Sequence, residues 1–273
     1  MSCKFLVRNM LISIIMTTYN RPAALARVLD GLQRQTCYPD EVIVADDGSG
    51  DETRACIRRF QETGPFPLQH VWHADKGFRA AAIRNKAIAR ASGDYIISLD
   101  GDCIPERHFI ADHRKLAETG FFYQGRRMLV SRARSAEFTI AHADTAWKKL
   151  KLLLSGQIGN GHHMARVPFW PARTSVSLDG VMSCNMGFFK TDLEAVNGFN
   201  EDFEGWGRED SELAIRLFNY GLKRKSHPFM AGCFHLWHTE NDRRRLARND
   251  QLLDTARCAG NHVCNNGIVK IDA

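Results

Sequence analysis

The first hundred residues predict a doubly wound α/β fold. Short apolar runs that are continuous and rich in β-branched residues alternate with longer amphipathic segments, and three of the runs lead into polar residues. Continuous runs suit strands of a parallel sheet covered on both faces. Strands alternating with helices are how such a sheet is wound. Polar residues at the strand ends gather on one rim, and ligands of open α/β sheets bind outside the carboxyl ends of the strands.

In order, residues 11–16 (LISIIM), 41–45 (EVIVA), 68–73 (LQHVWH) and 94–99 (DYIISL) read as strands. Residues 22–35, 51–63 and 78–91 between them have helical spacing, with Pro22 suited to a first turn and Gly64 following a helix end. The first strand leads into TTYNR, the second into DDGS and the fourth into DGD, so hydroxyls, an aromatic ring and four carboxylates share the rim. Beyond residue 104 the pattern loosens. Residues 120–130 suit a strand and 137–154 a helix. Residues 155–175, rich in Gly, Pro and polar residues, suit a long loop. Residues 182–190 suit a further strand, and 210–221 a helix closed by Gly221. From Asn241 the chain is basic, with four arginines in NDRRRLAR and little apolar periodicity.

The 273 residues, 44% hydrophobic and 25% charged, suit an ordinary globular chain with a sizeable core. A formal net charge of +6 fits an anionic small ligand or an acidic membrane surface, and makes no case for a nucleic-acid partner. The 8 cysteines, Cys3 among them, stand without a CxxC pair, so neither a zinc knuckle nor a disulfide framework is expected. The apolar start MSCKFLVRNMLISIIM is interrupted by Arg8 and Asn9, and no run approaches the ~20 apolar residues of a membrane span. The expectation is a cytoplasmic protein with reduced thiols.

Several motifs offer chemistry, each with a plainer alternative. In LDGDCIP, Asp100 and Asp102 share a face if extended, and Gly101 removes a side chain that would block a ligand. The pair suits Mg²⁺ or Mn²⁺ with a phosphate-bearing substrate, or is a polar turn. ADDGSGDET lacks the third glycine of a dinucleotide loop, and Asp46 and Asp47 would repel a pyrophosphate; they suit a base N–H or ribose hydroxyl, or an Asp-Gly turn. Arg79 could contact a nucleotide or be a solvated first-turn arginine. His235 and His238 would point opposite ways on a regular strand, so joint metal ligation needs a turn. WKKLKLLL places Trp147, Leu150, Leu153 and Leu154 on one arc that Leu152 breaks; it reads as a core helix, with a membrane or lipid-linked substrate as the alternative. In GFNEDFEGWGREDSELAIRLFNYG, Asp210 is either a helix cap, in a dipole that lowers its basicity, or a base; the glycines around Trp206 suit a ring that moves or is presented to a ligand.

Together, IIMTTYNR, VIVADDGSGDET, KGFRAAAIRNKAI and ISLDGDCIP resemble, in order and spacing, the family 2 glycosyltransferases of GT-A fold. SCNMGFFKTDLEAVNGFNEDFEGWGREDSELAIRLFNYG and HLWH resemble the C-terminal module of galactosyltransferases and bacterial chondroitin polymerases. The likeness extends to bacterial enzymes of lipopolysaccharide core and capsule assembly and covers roughly residues 11–245. It implies one GT-A domain, with 1–105 its nucleotide-sugar half, 106–240 its acceptor-binding and catalytic half, and 241–273 a basic tail. It further implies that Thr17, Tyr19, Arg21, Asp47, Arg79 and Asp100 bind the nucleotide, read as UDP. Asp100 and Asp102, with His238 and then His235, would hold Mn²⁺ or Mg²⁺. Asp210 would be the catalytic base of an inverting transfer, with Glu209 beside it and Trp206, Gly205 and Asn185 near the sugars. Ser183 stands where a glycine is usual. The implied partners are a UDP-sugar and a glycan or glycolipid acceptor, with peripheral contact at the inner membrane. A metal-dependent nucleotide-sugar hydrolase and a binding protein without catalysis are the other readings.

Overall fold

The computed structural model describes residues 10–239 and 242–271; Cys3, Arg8 and Asn9 of the apolar start and Asn241 of the basic tail lie outside them. The first half runs β1 (Ile12–Thr18), α1 (Pro22–Gln33), β2 (Glu41–Asp46), α2 (Asp51–Thr63), β3 (Leu68–Trp72), α3 (Ala80–Arg90), β4 (Tyr95–Asp100) and β5 (Cys103–Pro105). There follow α4 (Phe109–Leu116), β6 (Phe121–Gln124), β7 (Arg126–Val130), α5 (Arg132–Ser135), α6 (Ala146–Leu154), β8 (Ile158–Gly159), β9 (Arg173–Ser175) and β10 (Asn185–Phe189). The chain closes with α7 (Lys190–Ala195), α8 (Glu209–Asn219), β11 (Lys223–Ser226), β12 (Gly232–His235) and α9 (Leu246–Ala259).

Eight strands form one sheet in the order β3-β2-β1-β4-β10-β6-β11-β9, and four form a second, β5-β12-β7-β8. β1 lies parallel between β2 and β4, pairing Thr17 with Asp100 on one side and Ala45 on the other. β1 shows why these runs are continuous: Ile12, Ile14 and Met16 face one core and Ile15 the other. Helix α1 covers the first face with Leu25, Val28, Leu29 and Leu32, and α3 and α8 cover the second. Burial on both faces makes period-2 alternation unnecessary, which is why the runs read as uninterrupted. β10 enters antiparallel beside β4, so strands from the second half of the chain extend the same sheet.

The structure departs from the sequence reading in the middle of the chain. Residues 120–130 are two strands in two different sheets, β6 and β7, meeting at Gly125. Residues 137–154 do not form one helix: a 3₁₀ turn at Ile140–Ala143 precedes α6, whose N-cap Thr145 accepts a bond from the Lys148 N–H. The 155–175 segment contains β8, a 3₁₀ turn and β9. The basic tail holds the helix α9, fixed by buried Asn249 and Leu253 with little apolar surface. The core reading of α6 also fails, since Leu152 is buried while Trp147, Leu150, Leu153 and Leu154 are exposed.

Candidate active site

The carboxyl ends of β1, β2 and β4 share one rim, as the parallel pairing requires. At its centre is Arg84, which the sequence reading did not single out. It sits on the inward face of α3 with Ala80, Ala81, Ala87 and Ile88, a register that normally takes apolar residues. Its Nε donates to Thr17 Oγ1 at 3.1 Å, Nη2 to Asp100 Oδ1 at 3.2 Å and Nη1 to Glu209 Oε1 at 3.1 Å. The guanidinium also lies 5.2 Å from the Phe199 ring. Burial works against its charge, yet Asp100 and Glu209 outweigh that and raise its pKa. An arginine inside the helical apolar stripe was the signal that could have found it.

Asp100 closes β4 and only Gly101 and Asp102 turn, so the two aspartates belong to different surroundings. Asp100 meets Arg84, and burial pushes its carboxyl up to about 6 against that attraction. Gly101 matters for the backbone: its N–H donates to the Thr17 carbonyl at 2.7 Å, and a Cβ there would lie 2.9 Å from that oxygen. The missing side chain therefore clears the approach of the turn to β1, rather than a ligand.

Asp102 faces β12 and the residues after it. The strand ends at His235, and the chain then bends so that both imidazoles face one way, their ring centroids 5.2 Å apart. His235 Nε2 lies 3.7 Å and His238 Nε2 3.4 Å from the Asp102 carboxylate, and ligand atoms of all three lie within 4.8 Å of one another. Arg21 approaches the same carboxylate at 3.1 Å. His238 Nδ1 is 2.7 Å from the Thr239 carbonyl, which can only accept, so in the neutral ring that bond selects the tautomer whose Nε2, facing Asp102, keeps its lone pair. Burial lowers the pKa of His235, favouring the neutral, ligating form. Two imidazoles and a carboxylate directed at one point, with a carbonyl fixing one tautomer, fit a divalent metal ion.

At the start of α8, Arg208 occupies the N-cap position with φ 79°, and Glu209 and Asp210 open the helix. Asp210 Oδ1 accepts the Ser211 N–H at 2.7 Å, and Oδ2 accepts the Ser183 N–H at 3.3 Å. Asp210 is therefore not the N-cap, which is Arg208 without a side-chain cap bond; it accepts one first-turn N–H and ties the helix start to the Ser183 backbone. The helix dipole does not dominate: burial, with the charge of Glu209 beside it, pushes Asp210 up to about 7. The approach to α8 is tightly turned. Gly205 has φ 77°, and a Cβ there would come within 2.9 Å of the Arg245 side chain. Asn249 of α9 donates to the carbonyls of Glu204 and Gly207, bracketing Trp206 at 3.1 and 2.9 Å. Arg243 lies 4.9 Å from the Trp206 ring.

The remaining site residues are split. Tyr19 is exposed and donates to Asp75 at 2.8 Å. Asp47 is buried, accepting the Arg79 N–H at 2.8 Å and meeting His73 Nε2 at 2.5 Å, while the Arg79 side chain donates to the Ala74 carbonyl at 2.6 Å. Asp46 is wholly buried between the Ser49 N–H and His70, which removes it from the rim. Asn185 corrects the sequence reading. Its side chain is buried, accepts from His113 at 3.1 Å and donates to the Ala231 carbonyl at 2.8 Å, so it ties β10 to the interior and does not face a sugar.

Residues 13–176 match the model of glycosyl transferase family 2. The chain belongs to that family. Residues 167–239 match a second model, the N-terminal domain of galactosyltransferase. As a family 2 glycosyltransferase, the chain is 29% identical over 234 residues to a validoxylamine A glucosyltransferase of Streptomyces hygroscopicus subsp. limoneus, covering 78% of this chain and 49% of that protein. It is 26% identical over 229 residues to the chondroitin synthase of Escherichia coli, covering 79% of this chain and 33% of that one. The chain thus spans half or less of the length of these relatives. Among solved structures it resembles the mannosyltransferase PcManGT of Pyrobaculum calidifontis in complex with GDP-Man and Mn²⁺, with TM-score 0.54, 22% identity, and coverage of 85% of this chain and 58% of that one. It also resembles S. aureus TarS 1–349 in complex with UDP, with TM-score 0.62, 14% identity, and coverage of 92% and 68%. The fold is GT-A, and residues 13–176 form its family 2 glycosyltransferase domain.

Proposed function

We propose that the protein transfers a sugar, with inversion, from a UDP-sugar to a hydroxyl of a glycan or glycolipid in lipopolysaccharide or capsule assembly. The observation that carries this reading is Arg84. By bridging Asp100 and Glu209 it joins the turn bearing Asp102 to the helix start bearing Asp210. A candidate metal site and a candidate base therefore belong to one continuous polar cluster. Residues 1–105 supply the nucleotide side and 106–240 the acceptor side.

Asp102, His235 and His238 would hold Mn²⁺ or Mg²⁺; the two imidazoles favour Mn²⁺ of the pair. Such an ion would offset the negative charge that builds on the diphosphate leaving group. Thr17, Tyr19, Arg21, Asp47 and Arg79 would bind the nucleotide, and Trp206 with Gly205 the sugar. Asp210, poised near neutrality, takes the proton of the acceptor hydroxyl. That oxygen bonds to the anomeric carbon from the face opposite the leaving group. The sugar–phosphate bond breaks with its electron pair passing to the diphosphate oxygen, and one displacement inverts the centre.

Calorimetric titration of UDP, with and without Mn²⁺, into the wild type and Asp102→Ala tests this reading. Metal-dependent binding that the variant loses is the expected result. UDP binding indifferent to both Mn²⁺ and the substitution would overturn the metal assignment. Hydrolysis of a bound UDP-sugar as fast without an acceptor as with one would replace the transferase reading by a hydrolase.

A further inference from the structure

Helix α6 carries its apolar residues outward. Trp147 is 73% and Leu154 78% exposed, and Leu150 and Leu153 are exposed with them, whereas Leu152 is buried at 6%. The four exposed residues fall at i, i+3, i+6 and i+7, one side of a helix with 3.6 residues per turn. The helix also carries Lys148, Lys149 and Lys151 and no acidic residue. Lys149 turns inward to Glu106 at 2.7 Å and Lys148 reaches Asp144 at 2.8 Å, while Lys151 is exposed on the outer side. Leu150 and Leu153 also border a cleft of about 440 Å³ that Met164, Glu106, Arg107, Asp144 and His162 line with them.

The exposed apolar residues together with the lysines point to what covers this face. Lysine is depleted in protein–protein interfaces relative to the rest of the surface. A short helix exposing Trp, three Leu and lysines suits the boundary between lipid headgroups and acyl chains, with the lysines on anionic headgroups. No helix among the described residues is long and apolar enough to cross a membrane, so such contact would be made by lying on the surface. We infer that α6 docks the protein on an anionic phospholipid bilayer, inserting Trp147, Leu150 and Leu154 while Lys148 and Lys151 meet the headgroups. This goes beyond the transfer reaction and stands whichever sugar or acceptor is used.

Flotation of the full chain with phosphatidylglycerol–phosphatidylcholine vesicles and with pure phosphatidylcholine vesicles tests the inference. The wild type should float with the anionic vesicles and much less with the neutral ones. A Trp147→Ser/Leu154→Ser variant and a Lys148→Gln/Lys151→Gln variant should each lose about tenfold in partitioning. All four side chains are outside the core, so the thermal melting curves should coincide with the wild type, and UDP titration of the same samples reports separately on the donor site. Wild type that stays unbound to anionic vesicles overturns the inference, as do variants that float undiminished. A concentration-dependent dimer in sedimentation that the Trp147→Ser/Leu154→Ser variant abolishes, with no vesicle binding by the wild type, would assign the face to a second copy instead.

Discussion

The two acidic pairs of the site, Asp100 with Asp102 and Glu209 with Asp210, look alike in sequence and sit in opposite settings. In the turn after β4, Asp102 meets groups from outside its own segment, Arg21, His235 and His238. At the start of α8, Asp210 meets backbone N–H groups and the neighbouring Glu209, and its carboxyl rises to about 7. The first arrangement concentrates groups that bind a cation, and the second makes a carboxylate that takes a proton. In each pair the other acid, Asp100 or Glu209, bonds to Arg84. One buried arginine thus neutralises a member of each pair and leaves its neighbour for chemistry.

The sharpest way to break that contrast is Asp210→Asn. Transfer should fall by ~10²–10⁴-fold while UDP binding is retained. A parallel loss of UDP binding would give Asp210 a purely structural role. In the wild type the base form is required, so the rate should rise with pH and level off above about 7. The sign for stability is opposite. A carboxyl raised on folding binds its proton more tightly in the folded state, so its contribution is fully present below the ordinary carboxylate range and is lost as pH rises through about 7. The pH dependence of urea midpoints for wild type and Asp210→Asn would show whether that slope disappears.

Next comes Arg84→Met, which keeps length and removes the charge. It strands Asp100 and Glu209 near one another, and breaking a buried pair costs about 3–5 kcal/mol. Denaturant unfolding should register that loss, and stability within error of the wild type would show that the bridge is unimportant. Arg84→Lys separates charge from geometry. It retains the cation but lacks the fork that reaches Thr17, Asp100 and Glu209 together, so it should recover only part of the stability. The smallest effect is expected from Asn249→Ala, which removes the donor to the Glu204 and Gly207 carbonyls at a cost of about 1–3 kcal/mol. It should also loosen Trp206, read as a weaker apparent affinity for the donor sugar with UDP affinity unchanged. Equal changes in both would place the effect on the fold instead.

The first half of the chain was legible almost to the residue. α2 spans the 51–63 segment read from sequence, and the four strands shift by one or two positions, because strands buried on both faces and helices bounded by Pro22 or Gly64 carry their signals locally. The middle was not. Whether an apolar arc faces a core or solvent depends on what packs against it, so the sequence leaned to a core helix where the structure exposes the arc of α6. Asn185 stands within a motif of the resemblance, yet its partners His113 and Ala231 come from distant segments and turn it inward. The helix in the basic tail escaped notice because a buried polar residue, Asn249, anchors it in place of an apolar stripe.

By itself the sequence determined the wound α/β order, the rim where polar strand ends collect and the acids and histidines with chemistry to offer, though not Arg84 between them. These follow from periodicity and residue type, which act over a few neighbouring positions. Only the tertiary structure decided that Asp102 looks to His235 and His238, that Asp100 and Glu209 share Arg84, and that α6 is left uncovered. Charge partners and desolvation are set by groups tens to more than a hundred residues away, and a carboxylate's role follows from those surroundings.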